Sequence, residues 1–240
     1  MLLFLFSCVM PMLDTSDSTV LNDSTESVLE VKKVDRAITS SVKLVIKGKE
    51  GSGHASGNYF HHGKRKFIIT AAHVVDSGEL WIEDGIDIVK AEVLWVDKAR
   101  DIAFIRPMGN LVHTKSVKFK VNYDDYKVGT IVRYAGYPSE LGKMVLQGMV
   151  AKQKSAYLVL QSFALPGSSG SVIFDEKGRA MGVLSSVSIQ INPWVGIPEL
   201  AENIVNAGRL DFLDRKLLKE ILDAKPHKTI IKIEESSGGE

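Results

Sequence analysis

From about residue 28, over some 160 residues, short apolar runs recur, and Gly, Pro, Asn or Asp stands between them. They include Val42–Ile46, Phe67–Thr70, Ile102–Ile105, Thr130–Tyr134, Tyr157–Leu160, Ser171–Phe174 and Ala180–Leu184. Runs this short, rich in Val, Ile, Leu and aromatic residues and bounded by turn formers, are strand signals. Helical patterns do not alternate with them, so they predict an all-β barrel or sandwich rather than an α/β sheet. No repeat of fixed period organises them. A chain of 240 residues has room for one large domain or two small ones.

After residue 197 the pattern changes. Leu210, Leu213, Leu217, Leu218, Ile221 and Leu222 fall at three- and four-residue steps, which predicts an amphipathic helix over about 199–224, interrupted at Gly208. Residues 226–240 read as a tail. At the other end, residues 1–13 (MLLFLFSCVMPML) are apolar but too few to span a bilayer. Read as a signal segment they imply export, secreted or periplasmic; no Lys or Arg precedes them, so an apolar start on a cytoplasmic or virion-associated protein stays open. Residues 14–27 are polar, acidic and Ser/Thr-rich, and form a linker that cannot bury enough apolar surface to order itself.

Composition excludes several function classes. A formal charge of +1 gives no electrostatic case for binding nucleic acid or an anionic membrane. Cys8 is the sole cysteine, so no intrachain disulfide forms and the fold rests on packing. Neither a CxxC nor an HExxH pair occurs, so no zinc site or other cofactor is expected.

Three segments carry chemistry. In Thr70-Ala-Ala-His73-Val-Val75 a histidine follows an apolar strand, and the small residues beside it let the backbone pack while the imidazole projects. His54, His61, His62, His113 and His227 have no comparable setting. In Ala99-Arg-Asp101-Ile-Ala-Phe-Ile105 an aspartate stands at the mouth of an apolar strand, where a turn or cap residue is the ordinary reading. It is also where a partly buried carboxylate could orient an imidazole and support its protonated form. The third is Leu165-Pro-Gly167-Ser168-Ser169-Gly170-Ser171, leading into Val172-Ile-Phe174. Acyl transfer needs a hydroxyl on a tight turn with backbone N–H groups aimed at the developing oxyanion. Gly167 lies two residues before Ser169, and Gly170 lacks a Cβ, so the chain can pass close to a substrate. Of the three serines Ser169 fits best; a plain Gly/Ser turn between strands is the structural alternative.

The order His73, Asp101, Ser169, with separations of 28 and 68 residues, resembles the trypsin-like serine proteases, and more narrowly their HtrA/Deg branch. Gly51-Ser-Gly53 and Gly57, Gly136-Tyr-Pro138 with Leu141-Gly142 and Gln147-Gly-Met-Val150, and Gly178-Arg-Ala-Met-Gly182-Val-Leu-Ser185 are similar to family segments. The resemblance covers about residues 40–192. It implies two six-stranded antiparallel β-barrels, the first over about 40–120 and the second over about 121–197, within a protease domain spanning 28–225. It implies a serine endopeptidase acting on extended or unfolded polypeptide through a His73, Asp101, Ser169 triad and an acyl-enzyme. The oxyanion would be held by the N–H groups of Gly167 and Ser169. Ser185, Ser186 and Val187 would wall the pocket for the residue before the scissile bond (P1), and Phe163, Ala164 and Leu165 would form its base.

This sequence departs from the family at several points. Ser168 replaces the aspartate that digestive members pair with a newly cut N-terminus, so no such activation switch is expected. Ser171 stands where glycine is usual. Only 48 residues follow Asn192, too few for the PDZ domain of HtrA proteins. Two other functions remain open: a viral or phage assembly protease limited to self-cleavage, and a non-catalytic binding module on the same fold. An esterase elbow is disfavoured, because strands flank Ser169 and the histidine precedes it. The sequence leaves the oligomeric state open.

Overall fold

The computed structural model describes residues 36–48, 51–124, 126–191 and 198–225. The apolar N-terminal segment, the linker at 14–27 and the tail from 226 lie outside them. Strands β1 (Ser41–Gly48), β2 (Gly51–His62), β3 (Arg65–Thr70), β4 (Glu79–Asp84), β5 (Asp87–Asp97) and β6 (Ile102–Pro107) pair antiparallel in the order β1-β4-β5-β6-β3-β2. Pairing of β1 with β2 closes this first barrel, and β7 (Val117–Lys118) adds to β2 in parallel. Strands β8 (Ile131–Gly136), β9 (Met144–Gln153), β10 (Tyr157–Ser162), β11 (Val172–Asp175), β12 (Ala180–Ile191) and β13 (Pro198–Arg209) close a second barrel in the order β10-β13-β12-β11-β8-β9. One-turn helix α1 (Ala72–Val75) follows β3, and helix α2 (Arg215–Asp223) follows β13. Two six-stranded antiparallel barrels with a C-terminal helix are the architecture the sequence resemblance implies.

Burial follows the pleat. In β4, Leu80, Ile82 and Asp84 point inward between more exposed neighbours, the period of two that places alternate side chains on opposite faces. Strand β6 departs from this, because Ile102, Ala103, Phe104 and Ile105 are all buried. Ile105 faces the barrel interior opposite Ile68, while Phe104 lies on the outer face, where it stacks on Phe67 and meets edge-on Trp95, itself stacked on Phe212. Tyr126, Tyr134, Leu158, Leu160, Ile173 and Met181 fill the second barrel. Glycine- and serine-rich β2 carries no long apolar run. It runs between the barrels, where Ser56 N–H donates to the Ser169 carbonyl at 2.9 Å and Asn58 Oδ1 accepts from Val172 N–H at 2.8 Å.

The C-terminal helix expected over 199–224 is corrected. Residues Pro198–Arg209 form β13, the sixth strand of the second barrel, which therefore extends past residue 197. Val205 and Ala207 are buried and Ile204 is exposed, a two-residue alternation hidden among Ala, Glu and Leu, whose helix preference is a weak local effect. Antiparallel partners on both sides, β10 and β12, outweigh it. The helix is Arg215–Asp223 alone. Asp214 caps it by accepting from Leu217 N–H at 2.7 Å, a contact typically worth about 1 kcal/mol. Its buried Leu218, Ile221 and Leu222 pack in the cluster of the first barrel, and Asp223 pairs with Arg65. This helix thus straps the segment that follows the second barrel onto the first.

Gly208 does not break a helix. It lies in β13, where a Cβ would press into the Arg100 carbonyl oxygen closer than real Cβ atoms approach any neighbour. Gly208→Ala should therefore cost about 1–3 kcal/mol through overpacking, a fall in Tm of roughly 2–12 °C for a chain of this size. Thermal unfolding followed by far-UV circular dichroism checks this; an unchanged Tm would mean the two segments separate without cost.

Candidate active site

His73, Asp101 and Ser169 come from three separate segments, and hydrogen bonds through Ser185 link them. β3 ends at Thr70 and α1 starts at Ala72. With Ala71, Ala72, Val74 and Val75 buried, His73 is the residue of this turn that stays open, its side chain half exposed. Asp101 sits immediately ahead of β6 with φ 54, in the left-handed region that Asp and Asn tolerate better than other side chains. Its carboxylate gathers three donors. Oδ1 accepts the His73 backbone N–H at 2.8 Å. Oδ2 accepts His73 Nδ1–H at 2.7 Å and the Ser185 hydroxyl at 2.5 Å. A carboxylate only accepts, so the His73 proton belongs on Nδ1 and Nε2 is left as the basic nitrogen.

The electrostatics of the pair are reciprocal. The hydrogen bond to Asp101 raises the His73 pKa above its ordinary value, and burial offsets part of that. Burial pushes the Asp101 carboxyl up, but the bonds from His73 and Ser185 outweigh it and hold the group below the usual carboxylate range.

The turn at 165–171 places its serines differently. Ser168 is buried and its Oγ accepts Leu165 N–H at 3.3 Å. Ser171 is also buried, against the Cα of Gly136. Ser169 is only partly buried, and its Oγ donates to the Ser185 carbonyl at 3.3 Å. No hydrogen bond joins Ser169 to His73 among the described residues. Ser185, which engages both Asp101 and Ser169, bridges the two halves of the site. Gly167 has φ 93, a conformation open to glycine at little cost. Ser168, Gly170 and Ser171 donate their N–H groups to Leu165, Leu184 and Ser168 carbonyls. Among the described residues those of Gly167 and Ser169 have no backbone acceptor. The Cβ missing from Gly170 would face Ser56 O and Thr70 Oγ1, so this glycine serves the approach of β2 and β3 rather than of a substrate.

The residues expected to contact substrate lie on β12 and in the segment just after β10. Phe163, Ala164 and Leu165 follow β10; Ala164 is buried and Phe163 is partly exposed, with its carbonyl accepting from the Tyr134 hydroxyl. For Ser186 and Val187 the backbone alone is described, pairing with Asn206 and Val205 of β13. β11 pairs with β12 only as far as Val183, so beyond Leu184 the β12 edge beside the nucleophile turn meets no strand among the described residues. His54 and Ser56 were not singled out by sequence, yet both touch this turn. His54 Nε2 lies 3.0 Å from the Tyr137 carbonyl, and the Ser56 hydroxyl donates to Gly167 O at 2.7 Å. The one signal for them was their place in the Gly/Ser segment that opens β2. No group of three or more His, Cys, Asp or Glu that could hold a metal ion occurs among the described residues, and no helix there is long and apolar enough to cross a membrane.

Comparison with known proteins agrees with this fold. A family model for the trypsin-like peptidase domain matches residues 55–183. A protein of Halomonas elongata named "Probable periplasmic serine endoprotease DegP-like" is 25% identical over 152 residues, 59% of this chain and 31% of that protein. The chain therefore spans about a third of that relative's length. The solved structure titled "HtrA-type protease AlgW with tripeptide" superposes with TM-score 0.63 at 16% identity, covering 81% of this chain and 64% of that one. The serine endoprotease from Yersinia pestis gives 0.62 at 21% identity, covering 81% and 67%. These two likenesses speak for the fold. The family match takes in β3, the Asp101 segment and the whole nucleophile turn, more than half of the chain, and on that ground the protein belongs to the trypsin-like peptidase family.

Proposed function

We propose that this domain hydrolyses peptide bonds in extended or unfolded polypeptide through an acyl-enzyme, with Ser169 as nucleophile, His73 as general base and acid, and Asp101 as its support. The observation that carries this is the His73–Asp101 pair, a 2.7 Å bond that leaves Nε2 free to take a proton. The Ser169 hydroxyl donates to Ser185 O; this mechanism requires it to leave that carbonyl for His73 Nε2, a bond that in free enzymes often forms only when substrate arrives. As Ser169 attacks the scissile carbonyl, its proton passes to His73 and then to the leaving amine; water repeats the sequence to release the acyl group. The Gly167 and Ser169 N–H groups, without a backbone acceptor among the described residues, support an oxyanion hole, in which each donor is typically worth about a hundredfold to a thousandfold in rate.

The open edge of β12 from Ser185 to Val187 supports recognition by strand addition, in which substrate backbone pairs with the enzyme. Phe163, Ala164 and Leu165 offer no carboxylate to attract Lys or Arg, so the P1 residue is expected to be small to medium and apolar. A methylene more or less in such a pocket is worth only ~1–3 kcal/mol, so selection is loose. Cleavage of a peptide library checks this; a dominant preference for Lys or Arg would count against the pocket assignment. The periplasmic description of the Halomonas relative and the apolar residues 1–13 together support an exported setting. The test of the whole reading is covalent labelling by a fluorophosphonate probe, present in the intact chain and lost in Ser169→Ala.

A further inference from the structure

We infer that Ser56 is a positioning residue for the oxyanion turn: its hydroxyl ties β2 of the first barrel to Gly167 and to the Tyr137 segment of the second. This rests on the proteolytic reading above and adds a residue to it. Ser56 is fully buried. Its Oγ donates to Gly167 O at 2.7 Å and accepts Tyr137 N–H at 2.8 Å, so its proton and one lone pair are both committed. Two residues back on the same strand face, His54 Nε2 holds the Tyr137 carbonyl at 3.0 Å. That ring also packs against Gly167, where a Cβ would come within 2.5 Å of Nε2.

The consequence follows from peptide planarity. In a trans peptide the C=O and the next N–H point in opposite directions, so holding one aims the other. Ser139 N–H donates to the Pro166 carbonyl at 2.7 Å, which aims Gly167 N–H. Ser56 holds the Gly167 carbonyl, which fixes the following unit, whose Ser168 N–H goes to Leu165 O at 3.0 Å. Gly167 itself resists neither rotation, because glycine populates both signs of φ. The direction of its N–H is therefore set from outside the turn by Ser139, and Ser56 reaches across the barrels to hold the other peptide unit of Gly167 and, through Tyr137 N–H, the loop that carries Ser139. Ser139 has φ 48, and Tyr137 and Ser139 belong to one short loop, so a single hydroxyl and two backbone donors latch that loop onto the catalytic turn.

Ser56→Ala removes the latch and leaves both Gly167 O and Tyr137 N–H without a partner. A misdirected donor should cost less than the roughly hundred- to thousandfold of a donor lost outright, so kcat is expected to fall by about ten- to a hundredfold. KM should stay within about twofold. The inhibition constant of a peptide aldehyde, whose adduct places an oxyanion in the hole, should rise by the same factor as kcat falls. Ser56→Cys, of similar size and a weaker donor, should lie between the two and covers the case in which the alanine variant does not fold. A folded Ser56→Ala with wild-type kcat and aldehyde affinity would overturn the inference, as would a rise in KM alone. The amide signals of Gly167 and Ser168 in a nitrogen-15 NMR spectrum provide a readout independent of turnover: they should move in Ser56→Ala, and unmoved signals would overturn the latch. A wild-type chain that neither cleaves peptide nor labels with fluorophosphonate would defeat the proteolytic reading instead, with the NMR comparison still deciding the latch.

Discussion

Ser169→Ala is expected to abolish peptide hydrolysis, by about a million-fold in kcat, and to remove all fluorophosphonate labelling while leaving the fold intact. The magnitude is that of deleting the nucleophile where the triad acts as a unit. The neighbouring serines cannot substitute. Ser168 is buried with its hydroxyl accepting Leu165 N–H, and Ser171 is buried beneath Gly136; of the three, Ser169 alone is partly exposed. Stability should change by about 0.5 kcal/mol or less, as for substitutions that touch no buried network. The only bond the Ser169 side chain makes among the described residues is the 3.3 Å contact to Ser185 O, a long one for a hydroxyl donor. Activity within tenfold of wild type in a clean, folded Ser169→Ala preparation would move the nucleophile elsewhere.

How much of this was legible in the sequence depended on where the physical signal resides. The apolar runs of β1, β3, β6, β8, β10, β11 and β12 announce themselves, because a strand facing a core needs apolar residues locally. β2 does not: Ser56 is small because Gly136, Gly167 and Gly170 of the second barrel lie against it, and Gly57 because Val42, Ile68 and Ile69 crowd it, so the reasons lie on strands and turns distant in sequence. β13 misled for a related cause. Its residues favour a helix locally, and only pairing with β10 and β12, distant in sequence, makes Val205 and Ala207 inward-facing strand positions. In the site, the glycines around Ser169 mark the turn, and the strand end marks His73. Asp101 looked like any turn aspartate, since its distinction is the three donors that converge on it from 28 and 84 residues away. Ser185 was read for its place beside P1; its hydroxyl bond to Asp101 has no local signature. His54 went unremarked because its partners, Tyr137 and Gly167, lie more than eighty residues downstream.

Asp101→Asn is expected to leave a folded protein whose kcat is about ten thousandfold lower. Folding should survive because asparagine, like aspartate, tolerates φ 54. The loss follows from donors and acceptors. Oδ1 accepts the His73 backbone N–H, and Oδ2 accepts both His73 Nδ1–H and the Ser185 hydroxyl. An amide has one oxygen and one NH2, and turning the NH2 toward the His73 backbone would set donor against donor. The oxygen therefore keeps the Oδ1 place, and the NH2 faces Nδ1 and Ser185. Ser185 can answer by accepting, because a hydroxyl does both. His73 can answer only by giving up its Nδ1 proton and carrying it on Nε2, the nitrogen that must accept the proton of Ser169. The pH profile should report the same change. Asp101 raises the pKa of His73, and the base works only when neutral, so wild-type kcat/KM should fall on acidification with a midpoint above the ordinary histidine value. Without the carboxylate that midpoint moves to lower pH, and the variant's residual activity is lost later on acidification than that of the wild type. A midpoint that stayed in place, or a kcat within tenfold of wild type, would mean that Asp101 does not set the proton on His73.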